Sequence, residues 1–187
     1  MWDAILSGQV WRGEIVNRRK DGRLFYEEQT ITPLVDETGE VTGFVAIQQD
    51  ISERKRAELV SRRSEALLQK VLENMPVGVA ILNQNGLVLQ GNAKSHEIWA
   101  GLRYVGIQQY GEYKGWWLDS GKQIAPQEWA AARAVLRGET SLEEEIEIEC
   151  FDGTHKIILN SAVPIRDDKG AIEGVIVVNQ DITARKR

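Results

Sequence analysis

The sequence predicts an α+β protein built on antiparallel strands, and two observations carry that expectation. The first is the order of elements over residues 76–183: two strands, several short helices, then three strands. The second is an internal repeat. Sliding the chain against itself by 131 residues lays Pro33 on Pro164, Asp36 on Asp167, Gly39 on Gly170 and Gly43 on Gly174. The match continues with Gln49-Asp50-Ile51-Ser52 on Gln180-Asp181-Ile182-Thr183, and Arg54-Lys55-Arg56 on Arg185-Lys186-Arg187. After a one-residue slip, Ala4-Ile5-Leu6-Ser7-Gly8 meets Ala134-Val135-Leu136-Arg137-Gly138. The second copy has about 60 further globular residues ahead of it, so the first reads as the C-terminal half of the unit that repeats.

Each repeat reads as a three-stranded meander. In the second copy, glutamates at 143, 145, 147 and 149 alternate with Leu142, Ile146, Ile148 and Cys150 over most of the segment, the period of a half-buried strand. That register puts Ile146, Ile148 and Cys150 on the covered face. Asp152-Gly153 supplies residues that tolerate positive φ and so closes a hairpin. A strand from about His155 ends at Pro164, Asp167-Asp168-Lys169-Gly170 turns the chain, and Ile172 to Ile182 forms the last strand.

Residues 53–75 have no Gly or Pro and many good helix formers, with Ser52 expected as the N-cap. Ala57, Val60, Ser64, Leu67 and Val71 alternate three- and four-residue spacing, the seam of a coiled coil. Pro76 stops this helix. Val77 to Leu82 and Leu87 to Gln90 then flank the hairpin signal Asn85-Gly86, and Asn92 to Ala100 forms a short helix. An irregular stretch follows, rich in glycine and aromatics. Pro126 to Arg137 reads as a helix, with proline near its first turn and Gly138 just past its end.

These residues resemble the PAS sensor family. Pro164-x-x-Asp167-x-x-Gly170, Gly174 and Asp181-Ile182-Thr183 look like that family's closing signature, and Glu73-Asn74-Met75-Pro76-Val77-Gly78-Val79 looks like its opening. The resemblance covers about 65–187 fully and 1–56 as a C-terminal half. It implies a five-stranded antiparallel sheet of spatial order 2-1-5-4-3, with helices over one face enclosing a pocket. The organisation it implies is a three-stranded half-domain over 1–52, a connecting helix over 53–75, a complete domain over 76–183 and the start of an output helix over 184–187. It also implies a sensory role, with the state of the pocket passed to an output domain such as a histidine kinase elsewhere in the parent protein. In the first copy the last strand would keep an unpaired edge, expected to pair with another copy or fray. Homodimerisation is expected through that edge or the connecting helix.

By the same similarity, residues an even number before Pro164 face inward, which gives Ile158, Asn160 and Ala162. Asn179, two before Asp181, does likewise. Two asparagines on an apolar face need partners, in each other, water or a ligand. With Ile146, Ile148 and Ile158 below and Trp99, Tyr104, Tyr110, Trp116, Trp117 and Trp129 in the segment that covers them, a small, partly aromatic ligand is the expectation. Simple core filling, and with it a structural relay module, is the alternative. The cofactor is not readable. The helix over 126–137 contains no histidine, which argues against haem, and Cys150 sits on a strand, which argues against flavin–cysteine photochemistry. A non-covalently held flavin stays open.

Where the last strand becomes a helix, Thr183 and Ser52 are expected to cap free backbone N–H groups. Asp181 and Asp50 would pair one turn on with Arg185 and Arg54. This joint is the expected point of signal transmission. The net charge of −5 and pI near 5.2 argue against nucleic-acid binding. No apolar run approaches a membrane span and no signal peptide opens the chain, so a cytoplasmic location is expected. The single cysteine excludes an internal disulfide, and a zinc site would need His96, His155 and carboxylates. No nucleophile or acid–base constellation stands out, and the chain reads as non-enzymatic.

Overall fold

The computed structural model describes residues 1–186, and the chain divides into two compact units, Met1–Leu67 and Leu68 onward. Arg187, the last residue expected in the output helix, lies outside the described residues.

The first unit opens with a short helix, α1 (Trp2–Leu6), and continues as three strands: β1 (Trp11–Arg18), β2 (Leu24–Val35) and β3 (Val41–Asp50). They form an antiparallel sheet of order β1-β2-β3. Gly22 and Gly39 turn the chain at φ of 87° and 84°, a conformation that costs a residue with a Cβ. Ile5 from α1 is buried, along with Ile31 and Ile51. Among the described residues β3 pairs only with β2, and Val45 and Ile47 on it stay 47% and 68% exposed.

The long helix α2 (Ser52–Glu73) follows, and the division between the units falls within it. Val60, Leu67 and Val71 of the expected seam are at least half exposed along it.

The second unit contains β4 (Gly78–Asn83), β5 (Val88–Gly91), α3 (Ala93–Trp99), a 3₁₀ turn over Ile107–Glu112, β6 (Lys114–Trp117), α4 (Ala130–Arg137), β7 (Ser141–Glu149), β8 (His155–Arg166), β9 (Ile172–Asp181) and the short α5 (Thr183–Lys186). Its antiparallel sheet has the order β5-β4-β9-β8-β7-β6. Numbered without β6, the five expected strands run 2-1-5-4-3. The last strand is thus central, paired on one side with β4 and on the other with β8. Ile98, Ile146, Ile148, Ile158 and Val175 are fully buried between sheet and helices. Each contributes about 1.5–3 kcal/mol by leaving water.

Asn92 holds α3 in place. Its Oδ1 accepts from Val79 N and Ser95 N (both 2.9 Å), and its Nδ2 donates to Leu72 O (2.8 Å) and Val77 O (3.0 Å). One buried amide therefore ties the end of α2, the start of β4 and the first turn of α3 together.

The structure departs from the sequence reading in three places. The aromatic segment taken as irregular contains β6, which pairs with β7 from Lys114↔Glu149 to Trp117↔Ile146. The helix expected from Pro126 begins at Ala130, because Trp129 keeps an extended backbone (ψ 138°) and Glu128 turns back to bond Ala125 N at 2.9 Å. Leu142, counted in the alternation of this half-buried strand, is 67% exposed. A bulge between Ser141 and Glu144, with Glu143 at φ 53°, breaks the period there.

Candidate functional site

The second unit has a partly open cavity between the sheet and its covering helices. Ala80 and Leu82 of β4, Val88 of β5, and Asn160, Val177 and Asn179 of β8 and β9 form its floor. Trp99, Leu102, Tyr110, Tyr113, Trp129 and Ala131 form the walls and roof. The space open to the centre of a water-sized sphere is about 60 Å³.

Asn160 and Asn179 are register partners on adjacent strands, and both are at least 95% buried. Asn160 Nδ2 donates to Asn179 Oδ1 at 2.7 Å. With the amides in either orientation, one carbonyl oxygen and one NH₂ group of the pair keep no side-chain partner among the described residues. Trp129 adds a buried indole N–H without an acceptor among the described residues. The tyrosine hydroxyls are committed elsewhere: Tyr110 donates to Gly86 O (2.5 Å) and Tyr113 to Arg103 O (2.8 Å). Burial pushes both phenols above their ordinary range, Tyr113 to about 12. Among the described residues no charged side chain lines the cavity.

Of the residues expected to form a ligand site, five meet here: Asn160, Asn179, Trp99, Tyr110 and Trp129. Ile146, Ile148 and Ile158 are buried on the expected face but belong to the packed core beside the cavity. Tyr104, Trp116 and Trp117 lie elsewhere. Tyr104 is 52% exposed and its hydroxyl meets His96 Nε2 at 3.3 Å. Trp116 stacks on His155 (5.8 Å), which in turn bonds Glu147 at 2.9 Å on the outer face. Trp117 lies under the guanidinium of Arg133 (5.8 Å). Both tryptophans belong to β6, whose pairing with β7 carries them away from the roof. Tyr113, Leu102 and Ala131 line the cavity without having been singled out as site residues. Tyr113 shares the aromatic density of its neighbours, and its edge-on contact with Trp99 (4.9 Å) is what selects it.

Arg133 fastens the roof to the sheet. Its guanidinium bonds Glu139 Oε1 (2.9 Å), Ser141 Oγ (2.7 Å), Glu128 O and the carboxylate of Glu144, which the β7 bulge turns inward. Cys150, one residue past β7, donates its thiol to Ile98 O at 3.1 Å.

The strand-to-helix joints of the two units are the same structure built twice. Ile182 N bonds Ile157 O and Ile51 N bonds Tyr26 O, both at 2.9 Å. Thr183 Oγ1 accepts from Ile157 N, and Ser52 Oγ from Tyr26 N, both at 3.0 Å. Asp181 Oδ1 accepts from Thr183 N, and Asp50 Oδ1 from Ser52 N, both at 2.9 Å. Lys186 pairs with Glu145 (2.8 Å) where Lys55 pairs with Glu14 (2.5 Å).

Two details correct the sequence reading. The hydroxyls of Thr183 and Ser52 do not cap the helices; they tie the helix start to the neighbouring strand, and the aspartates supply the cap. The one-turn Asp–Arg pairs do not form. Asp50 pairs with Arg19 and Arg54 with Glu14 (3.2 Å), while Arg185 has no carboxylate partner among the described residues. With their carboxylates turned back onto the following backbone N–H, Asp181 and Asp50 are held away from the next turn. Asp50 is held below the usual carboxylate range, chiefly by its bonds from Ser52.

A sheet covered on one face by short helices around a small, mostly apolar cavity, with a helix leaving from its central strand, defines a sensory type of α+β domain. The chain belongs to the PAS family: the PAS fold family matches residues 72–187, and a second PAS domain family matches residues 1–53. PAS domains are sensory signal-transduction modules. Among similar proteins, a nitrogen fixation regulatory protein of Klebsiella oxytoca is 35% identical over 92 residues, 49% of this chain and 19% of that protein. The bacterioopsin transcriptional activator of Halobacterium salinarum is 30% identical over 116 residues, 62% of this chain and 17% of that protein. The chain thus spans less than a fifth of either regulator. Among solved structures, the PAS domain of an HTR-like protein from Haloarcula marismortui superposes with a TM-score of 0.51 at 15% identity, covering 68% of this chain and 99% of that one. An RNA-binding light-oxygen-voltage receptor gives a TM-score of 0.50 at 10% identity over 99% of this chain and 81% of that one. Both likenesses concern the fold. No helix is long and apolar enough to cross a membrane among the described residues.

Proposed function

We infer that residues 76–183 are a ligand-responsive sensor domain that relays the state of its cavity through the joint at Asp181 and Thr183 into the helix that follows. The observation that carries this reading is the position of Asn179. It lies on the cavity floor and on β9, two residues before the aspartate that caps the output helix. A change in what Asn179 bonds is therefore transmitted along one strand to the helix start. An output domain such as a histidine kinase, elsewhere in a longer protein, would receive the signal. Arg185 belongs to the transmitting turn, as Arg54 does in the first unit.

Residues 1–52 are read as the C-terminal half of a second such domain and 53–75 as a connecting helix. Homodimerisation through the exposed seam of α2 or the open edge of β3 fits the apolar residues that both leave in water. The module acts in the cytoplasm, as a binding and relay element with no catalysis of its own and no nucleic-acid partner. A haem or a photoactive flavin–cysteine pair is not part of the reading.

One observation favours a second reading. Asn160 and Asn179 bond each other, and a cavity this small is close to a filled core, as a purely structural relay would have. Native mass spectrometry and an absorbance spectrum of gently purified protein, followed by a thermal-shift screen against small metabolites, separate the two. A co-purifying or stabilising small molecule supports the sensor; a clean apo mass with no shift across the panel supports the relay.

A further inference from the structure

The cavity's polar inventory defines what it can hold. Resting on the ligand-site reading above, the geometry points to a neutral amide or urea of about three to five non-hydrogen atoms as the class of occupant.

Charge comes first. Among the described residues no ionisable side chain except the two tyrosines lines the cavity, and their hydroxyls are bonded to backbone carbonyls outside it. An ionised guest would be stripped of water with nothing to balance it, so the guest is neutral.

The second argument is pairing. The Asn160–Asn179 pair keeps one carbonyl oxygen and one NH₂ group in hand after its internal bond. Buried polar groups left unpaired oppose binding, so an apolar guest is disfavoured and a ketone answers only the donor. A primary amide or a urea carries an N–H and a C=O in one plane and answers both.

Size is the third. An apolar cavity of about 150 Å³ takes benzene, whereas a single water needs about 10–15 Å³. The cavity of about 60 Å³, which is partly open to solvent, lies between and admits acetamide or urea. At the affinity ceiling of very small ligands, four heavy atoms bind no tighter than about 40 µM.

The test is a titration of the ¹⁵N-labelled chain with acetamide, with acetone, acetate and dissolved xenon as comparators. It is read on the side-chain NH₂ signals of Asn160 and Asn179 and the indole N–H of Trp129. The exposed amide of Asn85 serves as an internal reference. The inference expects saturable shifts at Asn160, Asn179 and Trp129 with acetamide, at least tenfold tighter than with acetone or acetate, and little movement at Asn85. Asn179→Leu should weaken acetamide at least tenfold; the comparison among ligands on the unaltered chain decides the question even if that variant does not fold. Xenon binding without preference for acetamide, or equal movement at Asn85, overturns the amide class and leaves a ligand cavity standing. No shift with any of the four overturns both this inference and the ligand-site reading.

Discussion

Thr183→Val tests the joint without changing its shape. Valine keeps the β-branch and volume and removes one oxygen, which accepts from Ile157 N at 3.0 Å and donates to Asp181 Oδ1 at 2.6 Å. Leaving a backbone N–H unpaired costs about 1–3 kcal/mol when it is fully buried. Ile157 N is part-buried, which puts this loss in the lower half of that range. The bond to Asp181 adds little, because that carboxylate is exposed and water replaces the hydroxyl. The expected destabilisation of the second unit is therefore about 1.5 kcal/mol, roughly tenfold in its unfolding equilibrium. Urea unfolding measures it, and amide hydrogen exchange at Ile157 locates it. Thr183→Ser should restore both to the unaltered values. A loss below about 0.3 kcal/mol, with Ile157 still protected, would refute the claim that this hydroxyl ties helix to strand.

Other perturbations follow the same logic. Arg133→Met leaves Glu144 and Ser141 without their shared donor, and the second unit should lose about 3 kcal/mol in urea unfolding, as a broken, largely buried ion pair does. A Cβ on Gly115 would lie 2.7 Å from Trp129 Cη2 and 3.2 Å from Glu147 O. Gly115→Ala should therefore shift the tryptophan fluorescence and cost about 1–3 kcal/mol. Burial raises the phenol of Tyr113 from near 10 to about 12 and that of Tyr110 in the same direction. The folded state holds these protons more tightly than the unfolded chain. The stabilisation is complete below pH 10 and is lost as pH rises through about 12. Thermal midpoints should fall across that window, and Tyr113→Phe should flatten the fall.

The cavity floor was legible through the family resemblance, which sets the inward face relative to Pro164 and Asp181; the two-residue period of a strand then carries that setting to Asn160 and Asn179. The turn glycines were legible for an equally local reason, and Gly138 and Gly153 adopt positive φ as their contexts demand. The roof was harder to read. β6 is four residues long with a tryptophan on each face, too short to show a period, so Trp116 and Trp117 passed for covering residues. The alternation of Glu143 to Glu149 hid a bulge that no pattern announces, since Glu143 and Glu144 differ only in that Arg133, folded in from α4, reaches one of them. At the joints, spacing could place a hydroxyl and a carboxylate side by side. Only the neighbouring strand, brought up from 26 residues away, decides which of them caps the helix.

The relay from cavity to helix is tested most directly by hydrogen exchange at Ile157 and at residues 182–186. Protection would be compared between the protein carrying its tightest-binding small molecule and the same protein stripped of it. The account predicts that occupancy changes protection at Ile157, Ile182 and Arg185 while the far turn at Asp167–Gly170 is unaffected. Occupancy that alters the amides of Asn160 and Asn179 yet leaves the joint unchanged would contradict it.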